Sequence, residues 1–440
     1  MNFIVTVFNW FMTNIWKQTA IFLGIISFIG LRAQKKSAEE TIEGTLLTVV
    51  GYYAFGAGTG LITGAIGKIN DVLMPTLSTQ FGVYPYTTPV VNTCYSIEYL
   101  SGHVMTLFII SWIIHVLVVR IFSKWFKCVY LTVVHALNAT CVSMLFWYCC
   151  MGFEGMALYI AVIICNVLYF TLSPMAVYKD TQELTDGAFA LGHTQQFGAY
   201  VGGKLAGLIG NPEESADNIQ LPGWLSIFSQ TTLSLAVSMP LTFILCIAIA
   251  LIVGNAQAME VLTGYLGGTN WIIWCFIQGT TFAAGTAVLM YGLRTFLGAL
   301  VPAFKGFSEK VMPGCVPAID CAAFYGYSQM GVVLGFVGYV IGGFIVSGLC
   351  LLLKTSVFVF PSISTSFFDG ACVGVFANKH GGWKGCLIAC IIMGFLMHAG
   401  SGLLATGLLG VENAAAGFSP GNWDFTCVYA PIFWLISLFK

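Results

Sequence analysis

Charge is what this chain lacks. Asp, Glu, Lys and Arg make up 8% of its 440 residues, against about 25% in an average soluble domain, which excludes a soluble globular fold. The 17 basic and 18 acidic side chains leave a net charge of -1, so there is no basic footprint for nucleic acid. None of the 15 cysteines stands in a CxxC pair. No disulfide framework, zinc site or other cofactor is expected, and the thiols read as small apolar packing groups. HExxH spacing and a catalytic triad are also missing. The longest polar stretch, Asn211 to Gln220, reads as a loop. A single membrane domain over residues 1–440 is therefore expected, with any ATPase or phosphoryl-carrier activity on another polypeptide.

Hydrophobic residues are abundant, at 58% of the chain and a mean hydropathy of +0.87. Apolar spans of about 20 residues can be read at Thr45 to Ile66, Tyr99 to Phe122, Phe126 to Cys150, Met156 to Tyr178, Thr231 to Val253, Trp271 to Leu293, Gly331 to Leu353 and Trp383 to Leu409. Shorter ones at Thr19 to Leu31, Val357 to Phe376 and Phe425 to Leu438 bring the expectation to about eleven crossings, an all-α polytopic membrane protein. Arg32, Lys35 and Lys36, then Arg120, Lys124 and Lys127, then Lys179 fall on one face, which the positive-inside rule makes cytoplasmic, with the N-terminus outside. Met1 to Met12 has no basic start and no cleavage site, so it reads as an interfacial helix.

Gly60 to Pro75 (GLITGAIGKINDVLMP) resembles Ala299 to Pro313 (ALVPAFKGFSEKVMP) with a one-residue slip. Paired broken elements in two halves point to an inverted-repeat transporter with its site at the midplane. Glycines at four-residue spacing, such as Gly56, Gly60 and Gly64, or Gly331 and Gly335, are packing positions. Gly198, Gly203 and Lys204 imitate a phosphate loop, but Leu205 stands where magnesium needs Ser or Thr and no strand is read before it. Direct use of ATP is not expected.

Polar groups inside apolar spans are costly and mark a transport pathway. Thr185 to Phe197 is too polar and too short for an ordinary crossing and reads as a re-entrant hairpin carrying His193, Gln195 and Gln196, tolerated where it lines a cavity. Asp320 lies in an apolar segment; on a helix Phe324 and Tyr327 would share its face. A carboxylate beside aromatic rings suits a hydroxyl-rich ring, although Asp320 is equally suited to cap a short helix after Pro317. His135 and Asn138 share a face three residues apart. His103, His115 and His398 read as structural.

Four stretches carry a family resemblance: Tyr178 to Phe197, Leu221 to Phe228 (LPGWLSIF), Phe304 to Tyr325 and Gly374 to Gly385 (GVFANKHGGWKG). In this order and spacing they resemble the ascorbate-specific enzyme IIC of the bacterial sugar phosphotransferase system. The resemblance implies a homodimeric, multi-pass inner-membrane protein among membrane lipid, with eleven crossings split into a moving core domain and a scaffold domain. It implies that L-ascorbate is carried inward and phosphorylated to L-ascorbate 6-phosphate by a cysteine-phosphorylated IIB protein that IIA has charged. By motif, His193 and Asp320 match ligand-binding residues. Thr194 stands where the family has Gln, ahead of Gln195 and Gln196. His135 matches the fourth-span His, while Ala139, beside Asn138, replaces a ligand-binding Gln. Thr87 and Thr88, after Tyr86, are the nearest counterparts of a Thr-Tyr pair.

Ascorbate is an anion near neutral pH, as Asp320 would be, so the two repel unless helix N-termini at a broken span offset them or the carboxylate faces neutral hydroxyls. Two alternatives stand beside the ascorbate reading. One is a proton- or ion-coupled secondary transporter in which Asp320 or Asp369 titrates; the other is an enzyme IIC for another polyol, such as a pentitol or hexitol.

Overall fold

The computed structural model describes residues 10, 18–81, 88–219, 223, 231–404, 418–419 and 421–439. Of the sequence expectations, the N-terminal interfacial helix and most of Leu221 to Phe228 lie outside these. The helices in chain order are α1 (Thr19–Ala33), α2 (Ala38–Phe81), α3 (Val90–Ser96), α4 (Glu98–Ser101), α5 (Val104–Ile121), α6 (Val133–Leu145), α7 (Gly155–Ala176), α8 (Tyr178–Thr185), α9 (Gln196–Ile209), α10 (Thr231–Val253), α11 (Ala256–Leu266), α12 (Trp271–Val311), α13 (Gln329–Leu353), α14 (Ile363–Leu403) and α15 (Ala430–Ser437). Strands are β1 (Thr88–Pro89), β2 (Cys128–Tyr130), β3 (Ala190–Leu191), β4 (Val316–Ile319) and β5 (Phe418–Ser419).

Eight helices among the described residues are long and apolar enough to cross a membrane, and two shorter apolar ones lie at Thr19–Ala33 and Asp424–Ser437. One of the eight, α14, is a hairpin. Its backbone breaks at Gly382, with φ 60° and ψ -166°, and its arms run back along each other: Cys386 Sγ lies 3.4 Å from the Gly374 carbonyl and His398 Nε2 3.5 Å from Ser366 Oγ. Each arm has about 20 residues, which at about 1.5 Å per residue spans a bilayer core of about 30 Å. With the arms counted separately, eleven apolar helical segments stand where the sequence puts its spans, and the protein is an all-α polytopic membrane protein. Only glycine serves at the bend, because a Cβ on Gly382 would sit 2.2 Å from the Asn211 carbonyl oxygen in a left-handed conformation.

The repeated segments occupy corresponding places. Gly60 to Pro75 lies toward the C-terminal end of α2, and Ala299 to Pro313 runs through the C-terminal end of α12 and the turn after it. These two long helices pack antiparallel, Gly51 against Phe296 and Gly58 against Leu289. The glycines of α13 meet those of the hairpin, Gly335 on Gly370 and Gly342 on Gly394, close approach of the kind small residues allow. All fifteen cysteines are free thiols.

Helical periodicity does not foresee the small sheet. β4 is its central strand, with β2 and β3 parallel to it on either side. Leu131 N donates to the Ala318 carbonyl at 3.0 Å and Gly192 N to that of Ile319 at 2.7 Å. The non-helical backbone thus finds its partners inside the protein, the condition for such backbone at membrane depth. The segment Thr185 to Phe197, expected as a re-entrant hairpin, consists of the end of α8, a turn through Asp186 (φ 50°) and Gly187 (φ 76°), strand β3 and the start of α9. Strand β3 thus does precede the imitation of a phosphate loop. Gly198 to Lys204 nonetheless lies within α9, so its amides belong to a helix and form no phosphate cradle.

Candidate substrate site

The three parallel strands aim their C-terminal ends the same way, and each chain delivers one polar side chain just beyond its strand. His135 follows β2 in the first turn of α6, His193 follows β3, and Asp320 directly follows β4. The sheet therefore gathers residues far apart in sequence. Gly192 lets the end of β3 close in on β4, since a Cβ there would lie 2.5 Å from the Ala318 carbonyl oxygen.

His135 Nε2 is 3.2 Å from Asp320 Oδ2, Thr194 Oγ1 is 3.5 Å from His135 Nδ1, and the His135 and His193 rings are 3.9 Å apart between centroids. Asp320 also caps the 3-10 helix Cys321–Tyr327, its Oδ1 accepting from Ala322 N at 3.4 Å. The capping and ligand-facing readings of this residue thus hold together. The nearest ligating atoms of His135, His193 and Asp320 all lie within 4.8 Å of one another. Two imidazoles and a carboxylate form a donor set that also fits a divalent transition metal.

Asp320 opens onto a cavity of about 50 Å³ walled by Tyr52 and Phe55 of α2, Leu293 and Phe296 of α12, and Leu131 to Val134. At roughly 10–15 Å³ per water it holds a few waters and is too small as it stands for a sugar-sized ring. One side of the cavity is polar and the other aromatic, the combination that binds hydroxyls at a ring's edge and its apolar face at once.

A second layer holds His193 in place. Tyr130 donates its hydroxyl to the His193 carbonyl at 2.9 Å. His193 is 1% exposed, and among the described residues its Nδ1 has no hydrogen-bond partner and lies 3.9 Å from Asp369 Oδ1. Asp369 is itself held by Asn422 Nδ2 at 2.7 Å and Trp423 N at 3.1 Å. Asp424 accepts from Tyr169 OH at 2.8 Å and from Gly198 N at 3.1 Å, capping α9 from outside the helix. Sequence reasoning missed Tyr52, Tyr130, Tyr169 and Asp424. The buried acid at 424 carried a usable signal, an ionisable group in an apolar stretch.

Other expected site residues stand elsewhere. Gln195 donates to the Asp369 carbonyl and, at 3.2 Å, to Tyr339 OH, while Gln196 accepts from Tyr169 OH at 3.2 Å. Both fasten the segment to its surroundings. Tyr327 packs on Phe189 and Phe324 away from the cavity lining, because the helix after Asp320 is 3-10 and does not repeat with the α period that the spacing argument assumed. Asn138 is half-buried and Ala139 buried in α6; Ala139 offers no polar group. Thr87 lies outside the described residues. Thr88 belongs to β1, paired with Phe418 of β5. His103, His115 and His398 bond to Tyr159, Thr171 and the Gly394 carbonyl, as structural residues would.

Away from the cavity, the hairpin tip is tied to α8. Lys379 Nζ and His380 Nε2 reach Asp180 Oδ1 at 3.0 and 2.9 Å, and Lys379 also pairs with Glu183 at 2.6 Å. Burial would push the Asp180 carboxyl up, but the His380 and Lys379 hydrogen bonds outweigh it and hold it at about 2.

The sequence profile of the PTS system sugar-specific permease component family matches residues 14–421. The ascorbate-specific PTS system EIIC component of Mycoplasma pneumoniae is 27% identical over 435 residues, which cover 90% of this chain and 66% of that protein; the chain thus spans just under two thirds of that relative's length. Taken with the many apolar helices, the match over nearly the whole chain means that this protein belongs to the family of multi-pass, sugar-specific permease components (enzyme IIC) of the phosphotransferase system.

Proposed function

We propose that the chain is the permease for L-ascorbate, bound where β2, β3 and β4 deliver His135, His193 and Asp320. The observation that carries the reading is that the same three residues marked by the motif resemblance cluster at the strand ends, with Asp320 lining an aromatic-walled cavity. The likeness to a relative named ascorbate-specific supports the choice of sugar.

In this reading Asp320 accepts hydrogen bonds from ring hydroxyls and His193 and His135 address the remaining oxygens, while Tyr52, Phe55 and Phe296 cover the apolar side. The His135 contact at 3.2 Å offsets part of the repulsion between Asp320 and an anionic substrate. Helices α1, α2, α10 and α12 act as the scaffold of a homodimer, and the elements around the sheet move as the core. Bound sugar then reaches the cytoplasmic face, where a phosphorylated cysteine of a IIB protein, recharged by IIA, transfers its phosphoryl group to the 6-hydroxyl. The N-terminus is extracytoplasmic. Isothermal titration of the purified protein with L-ascorbate, a pentitol and a hexitol tests the assignment: selective ascorbate binding supports it, and tighter polyol binding overturns it.

Ion coupling is the second reading, and the buried Asp369 carboxylate beside His193 favours it. Uptake that continues without the phosphoryl carriers and collapses with an uncoupler would select it.

A further inference from the structure

Helix α12 separates two cavities. Leu293 and Phe296 line the one at Asp320. Thr286, Met290 and Arg294, at four-residue spacing and so on one face, line another of about 250 Å³, closed on its far side by Tyr325, Gly326 and Gln329 and at one end by Thr232. Its far wall belongs to the segment that begins at Asp320.

Two observations point to a ligand there. Arg294 follows directly on the apolar span Trp271 to Leu293 and is exposed, yet no carboxylate lines the cavity, and among the described residues its side chain makes no hydrogen bond or ion pair. The other polar groups are arranged so that donors remain: Thr286 Oγ1 is spent on the Phe282 carbonyl and the Tyr325 hydroxyl on that of Phe368, whereas the Gln329 amide, like Arg294, makes no side-chain hydrogen bond to a described residue. A planar guanidinium beside an amide donor, with no acid to neutralise it, recognises a tetrahedral or planar oxyanion by paired hydrogen bonds.

We propose that the Arg294 cavity is a second binding site, which takes a phosphate group clasped between Arg294 and Gln329. The group is either that of a small phosphate ester or the headgroup of an acidic phospholipid. Because the two walls are α12 and the segment carrying Asp320, an occupant would hold that segment against α12. The inference does not rest on the ascorbate reading, and its test uses no sugar.

The test is thermal unfolding of the purified full chain with sodium phosphate, against sodium chloride at matched ionic strength, and in mixed micelles of phosphatidylglycerol against phosphatidylcholine. The parent should be stabilised by phosphate, by phosphatidylglycerol or by both. Phosphate alone identifies a phosphate ester site and the lipid alone a headgroup site. Arg294→Gln should weaken the apparent affinity at least about tenfold, the loss expected when a charge-assisted contact is removed; Arg294→Lys, which keeps the charge without the fork, should fall between. Gln329→Leu, on the opposite wall, carries the same comparison if Arg294→Gln does not fold. No stabilisation by either additive, or undiminished stabilisation in both Arg294→Gln and Gln329→Leu, overturns the proposal.

Discussion

Replacing Asp320 with Asn removes the charge from the centre of the site and leaves the shape. The carboxylate's partners among the described residues include His135 Nε2 at 3.2 Å and Ala322 N at 3.4 Å. The Asn carbonyl still accepts from Ala322, and Asn caps about as well as Asp, so the 3-10 helix and the fold should survive. What is lost is the charge-assisted bonding to His135 and to the ligand. The Asp320 and His135 side chains are only 20% and 14% exposed, so screening by water is limited. A hydrogen bond to a charged group contributes about 1.5 to 3 kcal/mol, equivalent to about tenfold to a hundredfold or more in affinity. His193→Ala should weaken binding similarly, and because Tyr130 bonds to the backbone carbonyl of residue 193, that anchor outlives the imidazole. Isothermal titration with L-ascorbate, alongside size-exclusion profiles, measures both. Near-native affinity in the two variants would refute the site; affinity lost only together with the folded peak would assign these residues to structure.

Four further outcomes are expected. His398→Ala removes a buried ring bonded to Gly394 and Ser366, and should lower the melting temperature while leaving ascorbate affinity within about twofold of the parent, a change below about 0.5 kcal/mol. Gly382→Ala forces a left-handed Ala and a Cβ 2.2 Å from the Asn211 carbonyl oxygen, and should abolish the folded size-exclusion peak or cost at least about 1 to 3 kcal/mol. For Asp180, bringing a carboxyl from its ordinary 3.8 to about 2 stabilises the fold by at most about 2 kcal/mol, reduced by the water that screens these pairs at the hairpin tip. That contribution is complete above about pH 4 and disappears as pH falls through 2, so thermal unfolding of Asp180→Asn should fall below the parent at pH 7 and converge with it on acidification. Reporter fusions should give a cytoplasmic signal in the loops holding Lys35 and Lys124 and an extracytoplasmic one at the N-terminus.

Residue type was the readable part of the site. A carboxylate or imidazole in an apolar span costs too much to be there without a role or a partner, so Asp320, His193 and His135 stood out before any geometry was known. Their convergence was hidden, because β2 and β3 are three and two residues long, too short for an alternating pattern to register against neighbouring helices. Gln195 and Gln196 read as ligands by type, yet the Asp369 carbonyl, Tyr339 and Tyr169 take up their hydrogen bonds, partners contributed by distant helices. Tyr327 was misdirected by assuming 3.6 residues per turn where the chain winds as a 3-10 helix. Apolar spans such as Met156 to Tyr178, Thr231 to Val253 and Gly331 to Leu353 were legible to within two residues, since hydrocarbon thickness fixes their length, whereas α2 and α12 run well beyond Thr45 to Ile66 and Trp271 to Leu293, and the two spans flanking Gly382 proved to be the arms of one hairpin.

The central claim meets its most direct test in proteoliposomes that hold the purified chain, loaded with phosphoenolpyruvate and the soluble phosphoryl carriers, including IIA and IIB, and given labelled L-ascorbate outside. The account predicts that label accumulates inside as L-ascorbate 6-phosphate, only with the complete set of carriers, and that Asp320→Asn and His193→Ala reduce the rate at limiting substrate by about tenfold or more. Accumulation of unmodified ascorbate without the carriers, driven by an imposed proton gradient, would contradict it.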